Sequence, residues 1–579
     1  MDINQYDKIN INSMKDFTKR IWDQDFTLWS QRPAEIANRL GWLEFDNNEK
    51  VELKLINDNV KKIIGEGFKA VVLIGMGGSS LAPLMFSKIF KRKDGYLELI
   101  ILDTTDPDYL LEIKDKLDLE KTIFVVSSKS GGTMEVITIF EYFHSLVLDK
   151  VGIEKAGNSF VAITDSGSGL EKIASESGFR LILKNDPNMG GRYSALSYFG
   201  LFPAGLMGID IKELMARAKI EKLNSQDQEF RNHLDFLQLA RYKTKFINEI
   251  DINFPVSIGA YIANEALAGK DKLTFILSNE IKSFGQWLEQ LIAESTGKEG
   301  KGILPISTES LGNIQVYGRD RLFVKIIIEG DSSLDNLVDK IKKAGFPVIE
   351  IEMKDKYDIG GQIFLWEMAT AAMGFVLGVN PFDQPNVERS KVLTAKMLQD
   401  QLANDRKTIH LKEDRIEEEN TEILKLKLRE IIDNIHSFKE GDYFSIHGFF
   451  KESEAATKLL QELSDKIREL TKCPVTFGYG PRLLHSTGQL HKGDKGNGIF
   501  IQLTSINVKD IIISDKLDND KNLINSFGIK SEMSFSKLIK AQAKGDEMAL
   551  LEAGRRIVCI NIGQNIEAGL QTILSSLNG

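Results

Sequence analysis

Five short apolar runs, AVVLIG from Ala70, then ELIILD, TIFVVSS, SFVAITD and RLILK, alternate with stretches of helical periodicity. That alternation restricts the fold more than any other feature. Strands that are apolar along their whole length have to be covered on both faces, and the intervening segments are long enough to be crossover helices. The pattern predicts a doubly wound parallel sheet. Its ligand crevice opens at the carboxyl edge, where the strand tips Gly75, Asp103, Ser128 and Asp165 lead into turn-forming residues. Two further sets have the same texture. KLTFILS, GILPIS, RLFVKIII and FPVIEIEM form one; DYFSIHGFF, CPVTFGYG, GIFIQLT, DIIISD and RIVCINIG form the other. No sequence repeat relates the three.

The expected fold class is therefore α/β: doubly wound parallel-sheet domains in tandem, with a third α/β unit at the C-terminal end. A chain of 579 residues has room for several such units. The expected divisions are a helical cap over residues 1–60, a first α/β domain over 61–210, a second over 211–412 and a third unit over 413–579. A helical bridge near residues 210–247 precedes the second set of strands. The charged segment EDRIEEENTEILKLKLREII reads as a solvated connecting helix.

Within the second set lies FGQWLEQLIAESTGKEG. Phe284, Trp287, Leu288, Leu291 and Ile292 recur at the spacing of one helix face, and Gly297 is the expected stop. Glu294 falls beside Trp287 and Leu291, on the margin of the apolar stripe and in the last turn. Loss of water and the negative end of the helix dipole both disfavour the anion there, which are the conditions for a general base working near neutral pH.

Two glycine turns suggest an anion. VVLIGMGGSSLAPLMF is a strand, a turn and a helix start, which aims backbone N–H groups at a bound anion. It is not a dinucleotide fingerprint, since Ser80 stands where a third glycine belongs, and it is not a Walker loop, since no lysine precedes Ser79. TIFVVSSKSGGTMEV repeats the design and supplies Ser128, Lys129, Ser130 and Thr133 around Gly131 and Gly132. Two such turns on one sheet predict a single phosphomonoester held between them. A third glycine pair, in NMGGRYSALSYFG, carries Arg192, whose planar fork suits an oxygen that becomes negative during reaction.

The net charge of -9 comes with no basic stripe for nucleic acid and no polybasic segment for a membrane. No run of eighteen apolar residues occurs and the first residues lack the plan of a signal peptide, so a cytoplasmic location is expected. Cys473 and Cys559 lie far apart in apolar segments and read as inert core thiols.

Taken in order, GMGGSSLAP, SSKSGGT, GGRYSALS, AESTGK and NPFDQPNVERSK resemble the phosphoglucose isomerase family, and most closely the isomerase half of bacterial transaldolase–isomerase fusions. No (β/α)₈ barrel precedes the motifs, so a free-standing isomerase is expected. The resemblance implies sugar-isomerase-type domains that interconvert glucose 6-phosphate and fructose 6-phosphate in glycolysis and gluconeogenesis, with no cofactor and no metal. It implies that Glu294 moves a proton between C1 and C2, and that Arg192 stabilises the enediolate. Gly78, Ser79, Ser128, Lys129, Ser130 and Thr133 would hold the sugar phosphate. Gln384 would line the pocket, and Lys391 would help open the ring together with a histidine.

That histidine is displaced here. The family's histidine segment lies between the glutamate and lysine motifs, yet no histidine occurs between His233 and His410. GPRLLHSTGQLHKG, after the lysine motif, carries the nearest likeness, which assigns His485 with His491 as its rival. Family members are commonly dimers that share this residue between subunits, whereas a third unit could deliver His485 within one chain; monomer and homodimer both stay open. Two competing readings are an isomerase of broader substrate range that accepts mannose 6-phosphate, and a non-catalytic sugar-phosphate sensor, which would have lost the base, the arginine or the lysine.

Overall fold

A computed structural model of the chain describes residues 11–47, 51–226, 254–405, 416–513 and 533–577. Three parallel sheets run through it. The first contains β1 (Ala70–Gly75), β2 (Glu98–Leu102), β3 (Thr122–Ser127), β4 (Phe160–Asp165) and β5 (Leu181–Asn185) in the order β2-β1-β3-β4-β5. The second contains β6 (Lys272–Leu277), β7 (Leu304–Ile306), β8 (Arg321–Ile328) and β9 (Val348–Met353) in the order β7-β6-β8-β9. The third contains β10 (Tyr443–Phe449), β11 (Val475–Tyr479), β12 (Gly498–Thr504) and β13 (Arg556–Asn561) in the order β11-β10-β12-β13. In each sheet the first strand in sequence pairs with both the second and the third, so the strand order reverses beside it and a crevice opens at its carboxyl end.

Alternation along β1 explains the double covering. Val71 and Leu73 enter one core, whereas Val72 and Ile74 enter another on the opposite face. The first core is continuous with the second sheet and with the Ile359–Leu377 helix. By length and composition the stretch Lys356–Leu377 could cross a membrane, but 89% of its apolar window is buried inside the fold. The second core takes in Phe535 and Leu538 of the third unit, and Tyr142 meets Phe535 edge to face. The third unit is thereby pressed against the first sheet.

Two expectations need correcting. DIIISD is not a strand of the third sheet: Ile511 and Ile513 turn into the second core, and Ile512 makes only an isolated bridge to Ser534, while residues 514 and 515 lie outside the described residues. The Ile416–His436 helix is more than a solvated connector, because Ile431 and Ile435, with Leu424 and Leu428, form an apolar stripe seated on the third sheet's core. Of the expected helical bridge, Ile211–Asn224 is a helix and residues 227–247 lie outside the described residues.

The N-terminal cap has a structural task. Trp29 donates its indole N–H to the Ala371 carbonyl at 3.0 Å, and Trp42 packs on Tyr193 with ring centroids 5.3 Å apart. The Gly41 N–H donates to the Asn188 carbonyl at 2.9 Å, which fixes the cap against the turn that carries Arg192.

Candidate active site

The Phe284–Thr296 helix forms as its periodicity predicts and ends at Gly297. Phe284, Trp287, Leu288, Leu291 and Ile292 are all buried, each large side chain contributing about 1.5–3 kcal/mol relative to exposure. Glu294 is 7% exposed in the last turn, so it belongs to the interior rather than to the helix margin. Its Oε1 lies 3.3 Å from Arg192 Nη1, and its Oε2 accepts a hydrogen bond from Gln290 Nε2 at 3.2 Å.

Arg192 is fixed on every side. Its Nε donates to Ser295 Oγ at 2.7 Å, Nη1 to Gln384 Oε1 at 3.0 Å, and Nη2 to the Pro381 and Asp383 carbonyls at 2.7 and 2.9 Å. The buried Lys298 holds the same loop from below, donating to the Asn380 and Asp383 carbonyls at 2.6 Å and to Asp383 Oδ1 at 2.7 Å. Burial, with repulsion from Arg192, lowers the Lys298 ammonium to about 8. The guanidinium stands against the buried Glu294 carboxylate, a partnership that helix periodicity could not reveal.

The two glycine turns follow β1 and β3, the neighbouring strands at the reversal point of the first sheet. They touch: Ser127 Oγ donates to the Ser79 carbonyl at 3.2 Å. The second turn is internally braced, with Gly131 N–H donating to Ser128 Oγ at 3.2 Å, Gly132 N–H to Ser130 Oγ at 3.3 Å, and the Ser128 and Thr133 hydroxyls 3.3 Å apart. The glycines at the first turn are required by close approach. A Cβ on Gly78 would sit 2.1 Å from the Gly191 carbonyl oxygen, and Gly77 takes a φ of +55 with its would-be Cβ 2.7 Å from the His485 carbonyl oxygen. Lys129 is engaged elsewhere, since its ammonium pairs with Asp165 and donates to the Pro187 carbonyl at 2.9 Å.

His485 comes from the third unit of the same chain. Two clasps hold its segment. Arg482 forms a bidentate pair with Asp103 at the tip of β2, at 2.7 and 2.8 Å. Gln489, from the same motif, accepts from the Asn386 N–H at 2.9 Å and donates to the Gly297 carbonyl at 3.0 Å. Between these clasps His485 Nε2 sits 3.1 Å from Glu135 Oε1, and Gln290 Nε2 donates to the His485 carbonyl at 2.8 Å. Glu135 is buried, which opposes its charge, but His485 beside it, their hydrogen bond and the charge of Lys391 hold its carboxyl down to about 2. Lys391 lies on the exposed side, its ammonium 2.7 Å from Glu388, at the rim of a cavity of about 110 Å³ shared with Thr133, Glu135 and His485.

His491 lies elsewhere, buried and stacked on His447 with centroids 4.9 Å apart. Sequence reasoning passed over Glu135, Gln290, Ser295, Lys298 and Gln489. Ser295 and Lys298 stand inside the AESTGK motif, which was a signal available to it; Glu135 meets a residue 350 positions away and had none.

The phosphoglucose isomerase family profile matches residues 49–302. Glucose-6-phosphate isomerase of Staphylococcus saprophyticus is 30% identical over 402 residues, spanning 61% of this chain and 85% of that protein. The chain belongs to the phosphoglucose isomerase family. Glucose-6-phosphate isomerase of Mycoplasma capricolum is 29% identical over 446 residues, covering 67% of this chain and 96% of that protein. Among solved structures, a glucose-6-phosphate isomerase from Chlamydia trachomatis superposes with a TM-score of 0.54 at 18% identity, covering 68% of this chain and 85% of the other; this likeness concerns the fold alone.

Proposed function

We propose that this phosphoglucose isomerase family member interconverts glucose 6-phosphate and fructose 6-phosphate, in the cytoplasm, by moving one proton between C1 and C2 through a cis-enediolate. The observation that carries the reading is the buried Glu294–Arg192 pair, 3.3 Å apart, at a crevice where two hydroxyl-rich turns meet. Aldose–ketose exchange needs one base that reaches both carbons and a fixed cation for the oxygen that gains charge. Glu294 takes the proton from C2 of the aldose and returns it to C1, while the hydroxyl proton on O2 passes to O1, so that the carbonyl moves from C1 to C2. Arg192, immobilised by four partners besides Glu294, stabilises the enediolate oxygen without reorganising.

Gly78, Ser79, Ser128, Ser130 and Thr133 hold the phosphate at the reversal point of the first sheet, where amides and hydroxyls converge. Lys129 supports that turn through Asp165. His485, with its Nε2 on the Glu135 carboxylate, offers Nδ1 to the ring oxygen and opens the sugar together with Lys391. Gln384 orients Arg192. Division of labour follows the units proposed over residues 61–210, 211–412 and 413–579: the first supplies phosphate contacts, the second the base and lysine, and the third the histidine. The residues for every step come from one chain.

A coupled assay for glucose 6-phosphate formed from fructose 6-phosphate, run with a chelator present, tests the reading. Turnover is expected. A folded protein that binds hexose phosphate and produces no glucose 6-phosphate would overturn it.

A further inference from the structure

A second cavity, of about 420 Å³, lies between the second and third sheets and contains none of the proposed reaction residues. It opens on the other side of the segment that carries His485: Leu484 and His485 face the reaction crevice, whereas Leu483, Ser486 and Thr487 face this cavity. The volume falls in the range of small-molecule sites. Its inner wall holds polar groups without partners. His491 is 1% exposed, yet neither ring nitrogen has a hydrogen-bond partner among the described residues. His447 Nδ1 lies 3.0 Å from Asp546 Oδ2, its Nε2 is buried with no hydrogen-bond partner among them, and the buried hydroxyl of Thr308 is in the same position. An imidazole or hydroxyl shut away from water with nothing to bond loses about 1–3 kcal/mol, so such groups on one wall point to something that fills the space.

The chemistry of the occupant can be read from the charges. Of the ionic groups at the cavity, Arg482 is neutralised by Asp103 and Glu452, and Glu280 by Lys356. Lys88 and Lys282 are exposed at the mouth. Glu289 accepts from Ser307 N–H and Oγ at 2.9 and 2.7 Å, and burial raises its carboxyl to about 7. Deeper in, Ser445 and Thr476 add hydroxyls. Such a wall offers hydroxyls and imidazoles and no concentrated charge, and it matches a hydroxyl-rich neutral molecule better than an anion.

We propose that the cavity between the second and third sheets is a separate binding site for a small neutral polyol, held by His447, His491, Thr308 and the surrounding hydroxyls.

Saturation-transfer NMR on the full chain, with sorbitol and myo-inositol as probes, tests it. The spectra are recorded with an equilibrated mixture of glucose 6-phosphate and fructose 6-phosphate present in saturating amount, so that the reaction crevice is occupied. At least one polyol should still receive saturation, and the signal should fall at least threefold in both Thr308→Val and His491→Phe, with Thr308→Val keeping wild-type isomerase turnover and melting temperature. Should His491→Phe fail to fold, Thr308→Val alone decides. The site is refuted if neither polyol gives a signal, if hexose phosphate abolishes it, or if Thr308→Val retains more than a third of it. Isomerase turnover is read separately, so loss of the second site and loss of the isomerase reading are distinguishable.

Discussion

Gln290→Leu isolates the contact that joins the proposed base to the histidine segment. Gln290 Nε2 donates to Glu294 Oε2 at 3.2 Å and to the His485 carbonyl at 2.8 Å. The first is a bond to a charged acceptor, worth about 1.5–3 kcal/mol, and the second a neutral bond worth about 1 kcal/mol. Gln290 Oε1 is buried with no partner among the described residues, so leucine also removes an orphaned acceptor and recovers about 1 kcal/mol. The net loss of stability is about 1.5–3 kcal/mol. Of this, the part that orients the carboxylate bears on the chemical step, and at 1.36 kcal/mol per decade it predicts a fall in kcat of roughly ten- to a hundredfold. KM should stay within about threefold, since Gln290 makes no bond to the phosphate turns. The coupled assay from fructose 6-phosphate, with melting curves on the same preparations, measures both. A variant that folds and keeps kcat within threefold of wild type would show that Gln290 does not position the base.

Because His485 reaches Glu135 within one chain, mixing His485→Ala with Glu294→Ala protein should restore no activity; recovery on mixing, with sedimentation showing a dimer, would mean that the site is shared. Glu221 is buried, and burial raises its carboxyl from 4.5 to about 8. The folded chain therefore binds this proton more tightly than the unfolded chain, and the stability it contributes is present below 4.5 and lost as pH rises toward 8. Glu221→Gln should lose none of it, so its melting temperature should gain on wild type between pH 5 and pH 8, by at most about 5 kcal/mol in stability. An equal difference at both pH values would contradict the shift.

Much of the fold could be read from the chain because buried parallel strands leave a nearly continuous apolar signature, and the thirteen strands among the described residues fall where such runs occur. DIIISD carries the same signature, but its isoleucines are spent on a core contact between units instead of a ladder. The Ile416–His436 helix misled in the opposite sense, its charges concealing a narrow apolar stripe. In the site, glycines and hydroxyls were legible since turns at strand ends are local. Partners distant in sequence were not. Nothing local tells Glu135 that it faces His485, or Lys129 that Asp165 will take its ammonium. Glu294 was found by helix periodicity, but its environment was incomplete without Arg192, which arrives from a turn on another sheet.

Glu294→Gln tests the central claim most directly. The amide keeps the shape and can still bond to its neighbours, yet it cannot take a proton from C2. Glucose 6-phosphate should bind within a few-fold of wild type by calorimetry, while turnover falls by roughly 10³ or more. Turnover within tenfold of wild type, on protein that binds the sugar normally, would remove Glu294 from the proton transfer and the account with it.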